Sequence, residues 1–173
     1  MLSREVPPFD SIKGDSSPYL GFGDILTNSL QLDQKLEIAI IEARNRIEKG
    51  FKECLKTQLE VPTQIDSIIK MMWDAGWDPT KGNVNLFTRD FGLVLCGSII
   101  ELYGGERIFR TEENMNHFSI FWRKSMFEVF PFHKVLKCLL SETGESMVSF
   151  VKGIKNETTI VDIEPEKHDD HRV

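Results

Sequence analysis

The feature that most constrains the fold is the segment FGLVLCGSIIELYGG at residues 91–105, in which Glu101 is the one charged residue. From Val84 to Tyr103, apolar residues recur at helical intervals and nearly encircle the helix axis. A helix that is apolar on most sides lies inside a domain, with neighbours packed on several of its faces. The pattern therefore predicts a central helix from about Val84 to Tyr103.

Four glycines belong to this segment and are predicted to serve the architecture. Gly92 and Gly97 lie inside the helix, where each costs about 1 kcal/mol relative to alanine. We expect another backbone to approach closely at both positions. The pair Gly104-Gly105 predicts a left-handed end to the helix, because glycine adopts positive φ without strain.

Two amphipathic helices are predicted before the central one. The first runs from Gln31 to about Gln58, with an apolar stripe at three- and four-residue steps and mixed charges on the other face. The second begins near Pro62 and ends at Gly76. Thr63 followed by Asp66 resembles a capping box with aspartate in the role of glutamate. Gly76 is expected to take the left-handed conformation of a helix C-terminus.

After the Gly-Gly pair the apolar period changes from helical to two, which is typical of strands. Three strands are predicted over Ile108–Thr111, Phe118–Arg123 and Met126–Phe130, joined by a loop over 112–116 and a turn at Lys124-Ser125. Two further helices are predicted over Phe132–Leu140 and Glu145–Ile154. The chain is thus predicted to be α+β, with helices packed on a small antiparallel sheet of about three strands.

Length and composition predict the domain organisation. A chain of 173 residues is one domain by the usual size range. We assign residues 1–155 to a single α+β domain and residues 156–173 to a polar, acidic tail. Residues 1–30 mix Pro, Gly, Ser and Asp with scattered large apolar residues, and are predicted to form an irregular arm draped over the body.

The net charge of −6 bears on the class of partner. A nucleic-acid-binding protein needs a basic face to meet phosphates, so this class is not expected. A basic protein partner is compatible with the charge. The opening MLSREVPPFD lacks the apolar core of a signal peptide, and no run of eighteen apolar residues predicts a membrane span. We therefore expect a cytoplasmic protein.

Residues that could carry chemistry are scattered rather than grouped. Cys54, Cys96 and Cys138 stand more than forty residues apart without metal-ligand spacing, and are expected to be buried free thiols. The chain contains no G-x-S-x-G elbow and no phosphate-binding glycine loop. We expect no catalytic residue, no metal and no cofactor, and hence a protein that is not an enzyme.

The best surface candidate is the stretch WDAGWDP at residues 73–79. Trp77 is flanked by Asp74 and Asp78, and an aromatic residue ringed by carboxylates suits contact with a basic partner. The alternative is that Trp77 folds back onto the helix end as a cap contact. A second acidic candidate is Glu112-Glu113 between the first two strands, for which a solvated turn is the alternative.

A family resemblance covers about residues 85–155. It rests on a glycine-containing helix, a Gly-Gly pair before a strand, a strand that ends in proline, and a following Ser-Phe helix. The matching residues are Phe91-Gly92-Leu93-Val94-Leu95-Cys96-Gly97, Gly104-Gly105, Phe130-Pro131 and Met147-Val148-Ser149-Phe150. This order resembles small uncharacterised bacterial proteins, some of which look like immunity-type partners of toxins.

Three functions are compatible with these features. The resemblance, together with the acidity and the missing catalytic signatures, favours an immunity protein that docks on a basic bacterial toxin and neutralises it. An adaptor in a cytoplasmic assembly is the first alternative. A small enzyme or ligand-binding domain is the second, with a pocket between the sheet and the central helix lined by His117 or His133 and a carboxylate.

Overall fold

The computed structural model describes residues 29–159, apart from residue 53, residues 113–114 and residues 143–145. These residues form five helices and a three-stranded antiparallel sheet, which confirms the α+β class. In chain order the elements are α1 (Ser29–Phe51), α2 (Val61–Asp74), α3 (Val84–Tyr103), β1 (Glu106–Glu112), β2 (Met115–Trp122), β3 (Phe127–Val129), α4 (Pro131–Leu140) and α5 (Met147–Thr159).

The two predicted terminal segments fall mostly outside the described residues. α1 already begins at Ser29, so the arm predicted for residues 1–30 lies beyond the described residues except at its last two positions. α5 continues to Thr159, five residues past the predicted Ile154. The first four residues of the predicted tail are therefore helical, and the remainder of the tail lies outside the described residues.

The first helix ends at Phe51, and its predicted continuation to about Gln58 is wrong. Lys52 takes a positive φ of 54°, which turns the chain out of the helix. Leu55 fits the helical stripe and is indeed buried, but it reaches the core from a non-helical segment. Arg44 donates to the carbonyls of Leu55 and Lys56, and this contact holds the segment against α1.

The second helix begins without the predicted capping box. Thr63 lies inside the first turn, and Glu60 is the N-cap residue, without a side-chain cap. The Asp66 carboxylate instead accepts hydrogen bonds from the N–H groups of Met147 and Val148, at 2.7 and 3.2 Å. A carboxylate at a helix N-terminus satisfies free donors and complements the helix dipole. Asp66 therefore caps α5, to which it is remote in sequence.

The predicted central helix is confirmed. α3 spans Val84–Tyr103, and α1, α2, α4 and α5 all pack against it. Its end at Gly104 has a φ of 66°, as the Gly-Gly pair predicts. The interior glycines also meet close neighbours, but these are side chains rather than a backbone. A Cβ at Gly92 would lie 2.4 Å from the Phe132 ring, and one at Gly97 would lie 3.1 Å from Ile40.

One buried charge joins the first and third helices. Asp90 lies on α3 with a side chain that is only 7% exposed, and Arg46 of α1 donates two hydrogen bonds to it, each of 2.9 Å. The hydrogen bond to Asp90 is the main cause that raises the pKa of Arg46. Such a bidentate pair fixes orientation as well as distance, so it sets how α1 lies along α3.

The sheet has the predicted strand order, with longer first strands. β1 and β2 pair antiparallel from Glu106 opposite Phe121 to Glu112 opposite Met115, so residues 112, 115 and 116 of the predicted loop belong to the strands instead. β3 is shorter than predicted and pairs with β2 after a turn over 123–126. Phe118 of β2 packs edge-on against Phe132 of α4, with ring centroids 5.7 Å apart, and this contact joins sheet and helices.

The buried side chains form one continuous cluster with members from α1, α2, α3, the sheet, α4 and α5. Phenyl rings lie among the largest fully buried groups: Phe91, Phe118 and Phe132. None of the helices that the structure describes has the length and apolarity needed to cross a membrane.

Candidate binding surface

The structure brings three of the five predicted surface residues together at the end of α2. Asp74 is the last residue of this helix, and Trp77 and Asp78 follow in the next turn of chain. Glu112 is the last residue of β1, on a different element, and its side chain lies outside what the structure describes. Glu113 lies outside the described residues altogether.

The backbone at the end of α2 fixes the position of Trp77. Gly76 has a φ of 84°, its N–H donates to the Trp73 carbonyl, and the Trp77 N–H donates to the Met72 carbonyl at 2.9 Å. This pair of bonds is the Schellman arrangement that ends many helices. It requires positive φ at its C′ residue, which explains glycine at position 76. The chain is thereby turned so that Trp77 points back toward the body.

The indole of Trp77 is tied to α4. Its N–H donates to the carbonyl of Leu139 at 3.0 Å, and the side chain is half-buried. Trp73, one turn earlier, donates in the same way to the carbonyl of Cys138 at 3.2 Å. Trp77 therefore packs inward, against α4 and Phe87 of α3, whereas the alternative placed it on the end of its own helix. A role of the same residue in partner binding stays a prediction and would use the part of the ring that is accessible.

An open pocket of about 510 Å³ lies beside the accessible part of Trp77. Its aromatic wall consists of Trp77, Phe87 and Phe51: the Trp77 and Phe87 rings meet edge-on at 5.4 Å, and Phe51 lies 6.0 Å from Phe87. Met72, Ala75 and Gly76 add further lining. We call this space the Trp77 pocket. It is largely apolar, with two charged groups, Asp78 and Lys81, in its lining.

Asp78 is held as a carboxylate in the lining of the Trp77 pocket. Its Oδ1 accepts hydrogen bonds from the hydroxyl and the backbone N–H of Thr80, at 2.6 and 2.9 Å, and its Oδ2 lies 3.1 Å from the Lys81 ammonium. Together these interactions lower the pKa of Asp78 to about 2, and the hydrogen bond from the Thr80 hydroxyl has the largest effect. Asp78 therefore keeps its negative charge to a lower pH than an ordinary aspartate does.

Asp74 lines a second pocket, of about 270 Å³. Its carboxylate pairs with Lys70 at 2.7 Å, and this hydrogen bond raises the pKa of Lys70. Asp66 and Glu142 contribute two more carboxylates to the lining. The end of α2 thus carries an acidic residue in each of two neighbouring pockets, and the predicted grouping of Asp74 with Asp78 is split between them.

The enzyme alternative requires a pocket lined by a histidine and a carboxylate, and the pockets described here do not combine the two. A third pocket, of about 410 Å³, lies over residues 105–106 and 121–125, and none of the three is lined by histidine. His133 lies beside the Phe130 ring, and the side chain of His117 is outside what the structure describes. Within the described part of the chain, no group of three His, Cys, Asp or Glu residues could hold a metal ion.

The cysteines differ from one another in exposure. Cys96 and Cys138 are buried thiols, as predicted, and burial raises the pKa of the Cys96 thiol well above its usual value. Cys54 is also a thiol but is exposed, so its predicted burial is wrong. It follows the end of α1, and the helical stripe that would have buried it is broken there.

Two members of the Trp77 pocket were not identified from sequence. Phe51 is the last residue of α1, and Phe87 lies in the first turns of α3. Both fit the apolar stripes of their helices, so their pattern indicates burial and gives no sign that they border a pocket. They line one pocket with Trp77 only because the ends of α1 and α2 and the start of α3 lie together in the folded chain.

Comparison with known proteins gives no relative: no family model, no curated protein and no solved structure matches this chain.

Proposed function

We propose that this protein is a non-enzymatic binding protein of the immunity type, which docks on a basic bacterial toxin domain in the cytoplasm and neutralises it. The proposal is carried by one observation: the Asp78 carboxylate lines an open aromatic pocket beside Trp77. Interface hot spots combine buried aromatic contacts with complementary charge. The overall charge of −6 adds attraction at longer range.

Charge complementarity makes specific demands on such a complex. Association should be fast at low salt and slower when the ionic strength rises, because screening shortens the range of the field. The exposed carboxylates at the end of α2 should contribute more than carboxylates elsewhere. Asp74 and Asp78 are the residues to test, since Asp74 ends α2 and Asp78 follows in the next turn of chain.

The test is affinity capture from the native host followed by mass spectrometry. We expect the wild-type chain to enrich a basic nuclease-like or peptidase-like domain, and co-expression of the chain to relieve that domain's toxicity. The variant Asp74→Asn/Asp78→Asn should capture at least about tenfold less of it, because two interfacial charges are lost. The matched control is Glu101→Gln/Glu157→Gln, which removes two exposed carboxylates that line none of the three pockets.

Other outcomes would contradict the proposal. If the captured domain is as toxic with the chain as without it, the immunity function is wrong. Capture of a stable multi-subunit assembly without toxicity would instead favour the adaptor alternative. Equal loss of capture in both double variants would show that net charge alone is responsible and that the end of α2 has no special role.

A further inference from the structure

In the Trp77 pocket the Asp78 carboxylate is already paired with a cation of the same chain, the Lys81 ammonium. The Lys81 ammonium lies 3.1 Å from Asp78 Oδ2, and the Lys81 side chain is 83% exposed. An ion pair exposed to this degree contributes little to stability. Lys81 can therefore leave Asp78 at small cost to the fold, and another cation can replace it.

The remainder of the pocket suits a particular kind of cationic side chain. Aromatic rings and Met72 offer an apolar wall, which suits methylene groups that run toward a charged end. Oδ1 of Asp78 is engaged by Thr80, so an incoming group has Oδ2 to bind. Guanidinium is planar, is less strongly hydrated than ammonium, and packs on aromatic faces.

We infer that the Trp77 pocket accepts an arginine side chain of a protein partner, which displaces Lys81 from Asp78 and lays its stem against the aromatic wall. This inference rests on the proposed function, because it names the anchor that a basic partner would insert. A carboxylate anchor is disfavoured by Asp78. A purely apolar anchor would leave the Asp78–Lys81 pair in place and gain nothing from it.

The test is a titration of the full-length chain with N-acetyl-arginine methylamide, followed by NMR through the Trp77 indole N–H and the Gly76 and Gly82 amides. The citrulline analogue has nearly the same shape without the charge, and the norleucine analogue is purely apolar. We expect saturable shifts with the arginine compound at millimolar concentration, and binding about fivefold tighter than that of the citrulline compound.

Three variants separate the contributions. Asp78→Asn should reduce arginine binding to the level of citrulline. Lys81→Met should tighten arginine binding about threefold, because the internal competitor is removed. Glu101→Gln is the matched control, since it removes an exposed carboxylate that lines none of the three pockets, and it should change the affinity less than twofold. Lys81 is so exposed that its variant tests the inference even if Asp78→Asn disturbs the loop.

Several results would overturn the inference. Equal binding of the arginine and citrulline compounds, or stronger binding of the norleucine compound, would mean that the pocket does not recognise the guanidinium charge. No shift at Trp77 with any compound would mean that the pocket does not receive side chains, or is filled by another part of the chain. If capture of a basic toxin still depends on Asp74 and Asp78 in that case, the arginine anchor fails while the proposed function stands.

Discussion

Gly92 shows how a single residue adjusts the packing of the central helix. A Cβ at this position would lie 2.4 Å from Cδ1 and 2.8 Å from Cε1 of Phe132. Phe132 is 1% exposed and its ring contacts Phe118, so it has little room to move away. The cost of glycine in a helix is offset here by the close approach of a large ring.

Gly92→Ala is predicted to destabilise the protein by about 1–3 kcal/mol, because overpacking exceeds the gain in helix propensity. Gly153→Ala is the matched control: Gly153 is exposed on α5, and a Cβ there would have no neighbour within 4 Å. It should stabilise the protein by up to about 1 kcal/mol. Urea unfolding of both variants measures the difference, and a stabilising Gly92→Ala would contradict the packing described here.

At the level of the helices and strands, the three tryptophans share one role. Trp73 and Trp77 donate their indole N–H groups to carbonyls in the last turn of α4, and Trp122 donates to the carbonyl of Tyr103 at the end of α3. The last carbonyls of a helix have no partner within the helix. Indole donors from neighbouring elements satisfy them here, and the large rings pack against the core at the same time.

Trp77→Phe is predicted to lower the free energy of unfolding by about 1–3 kcal/mol, since it leaves the Leu139 carbonyl without its donor. Amide exchange should accelerate at the end of α4, for example at Ser141, whose N–H donates to Lys137. Trp122→Phe serves as the control, because it should instead accelerate exchange at Gly104, which follows α3 and whose N–H donates to Ile100. Equal acceleration at both helix ends in either variant would mean that the donors do not act locally.

For the molecule as a whole, the reactivity of the cysteine thiols measures how much of the structure must open to expose the core. Cys96 lies fully buried in α3, the helix against which the other four pack, whereas Cys54 is exposed. Reaction at Cys96 therefore requires a large part of the structure to open. Burial raises the pKa of the Cys96 thiol, so the thiol form is retained in the folded protein at pH values where an unfolded chain would lose its proton.

Thiol labelling at pH 8 should modify Cys54 at least about a thousandfold faster than Cys96, given an ordinary stability of about 5 kcal/mol or more. Burial raises the pKa of Cys96 in the folded state, so this thiol does not change the free energy of unfolding below the unfolded pKa of about 8.5. Above that pH the unfolded chain loses the proton first, and the free energy of unfolding falls as the pH rises. Cys96→Ala should remove this alkaline decline, while Cys54→Ala should not. Comparable labelling rates at both thiols would contradict a core centred on α3.

The candidate site was predictable in part. Asp74, Trp77 and Asp78 stand out in sequence because a tryptophan lies between two aspartates just after a helix-ending glycine. Phe51 and Phe87 do not, because an apolar residue on a helical stripe looks the same whether it borders a pocket or a core. The split of Asp74 and Asp78 between two pockets also depends on neighbours from other elements.

Patterns within a few consecutive residues are enough to predict the approximate bounds of α3, the positive φ at Gly76 and Gly104, and the antiparallel order of three strands. Each depends on periodicity or on backbone freedom, which are local properties. Other features emerge only in the packed molecule: Asp66 caps α5, Phe132 fills the space at Gly92, and indole groups cap helix ends. These partners lie tens of residues apart, and they meet only when all the apolar faces are buried together.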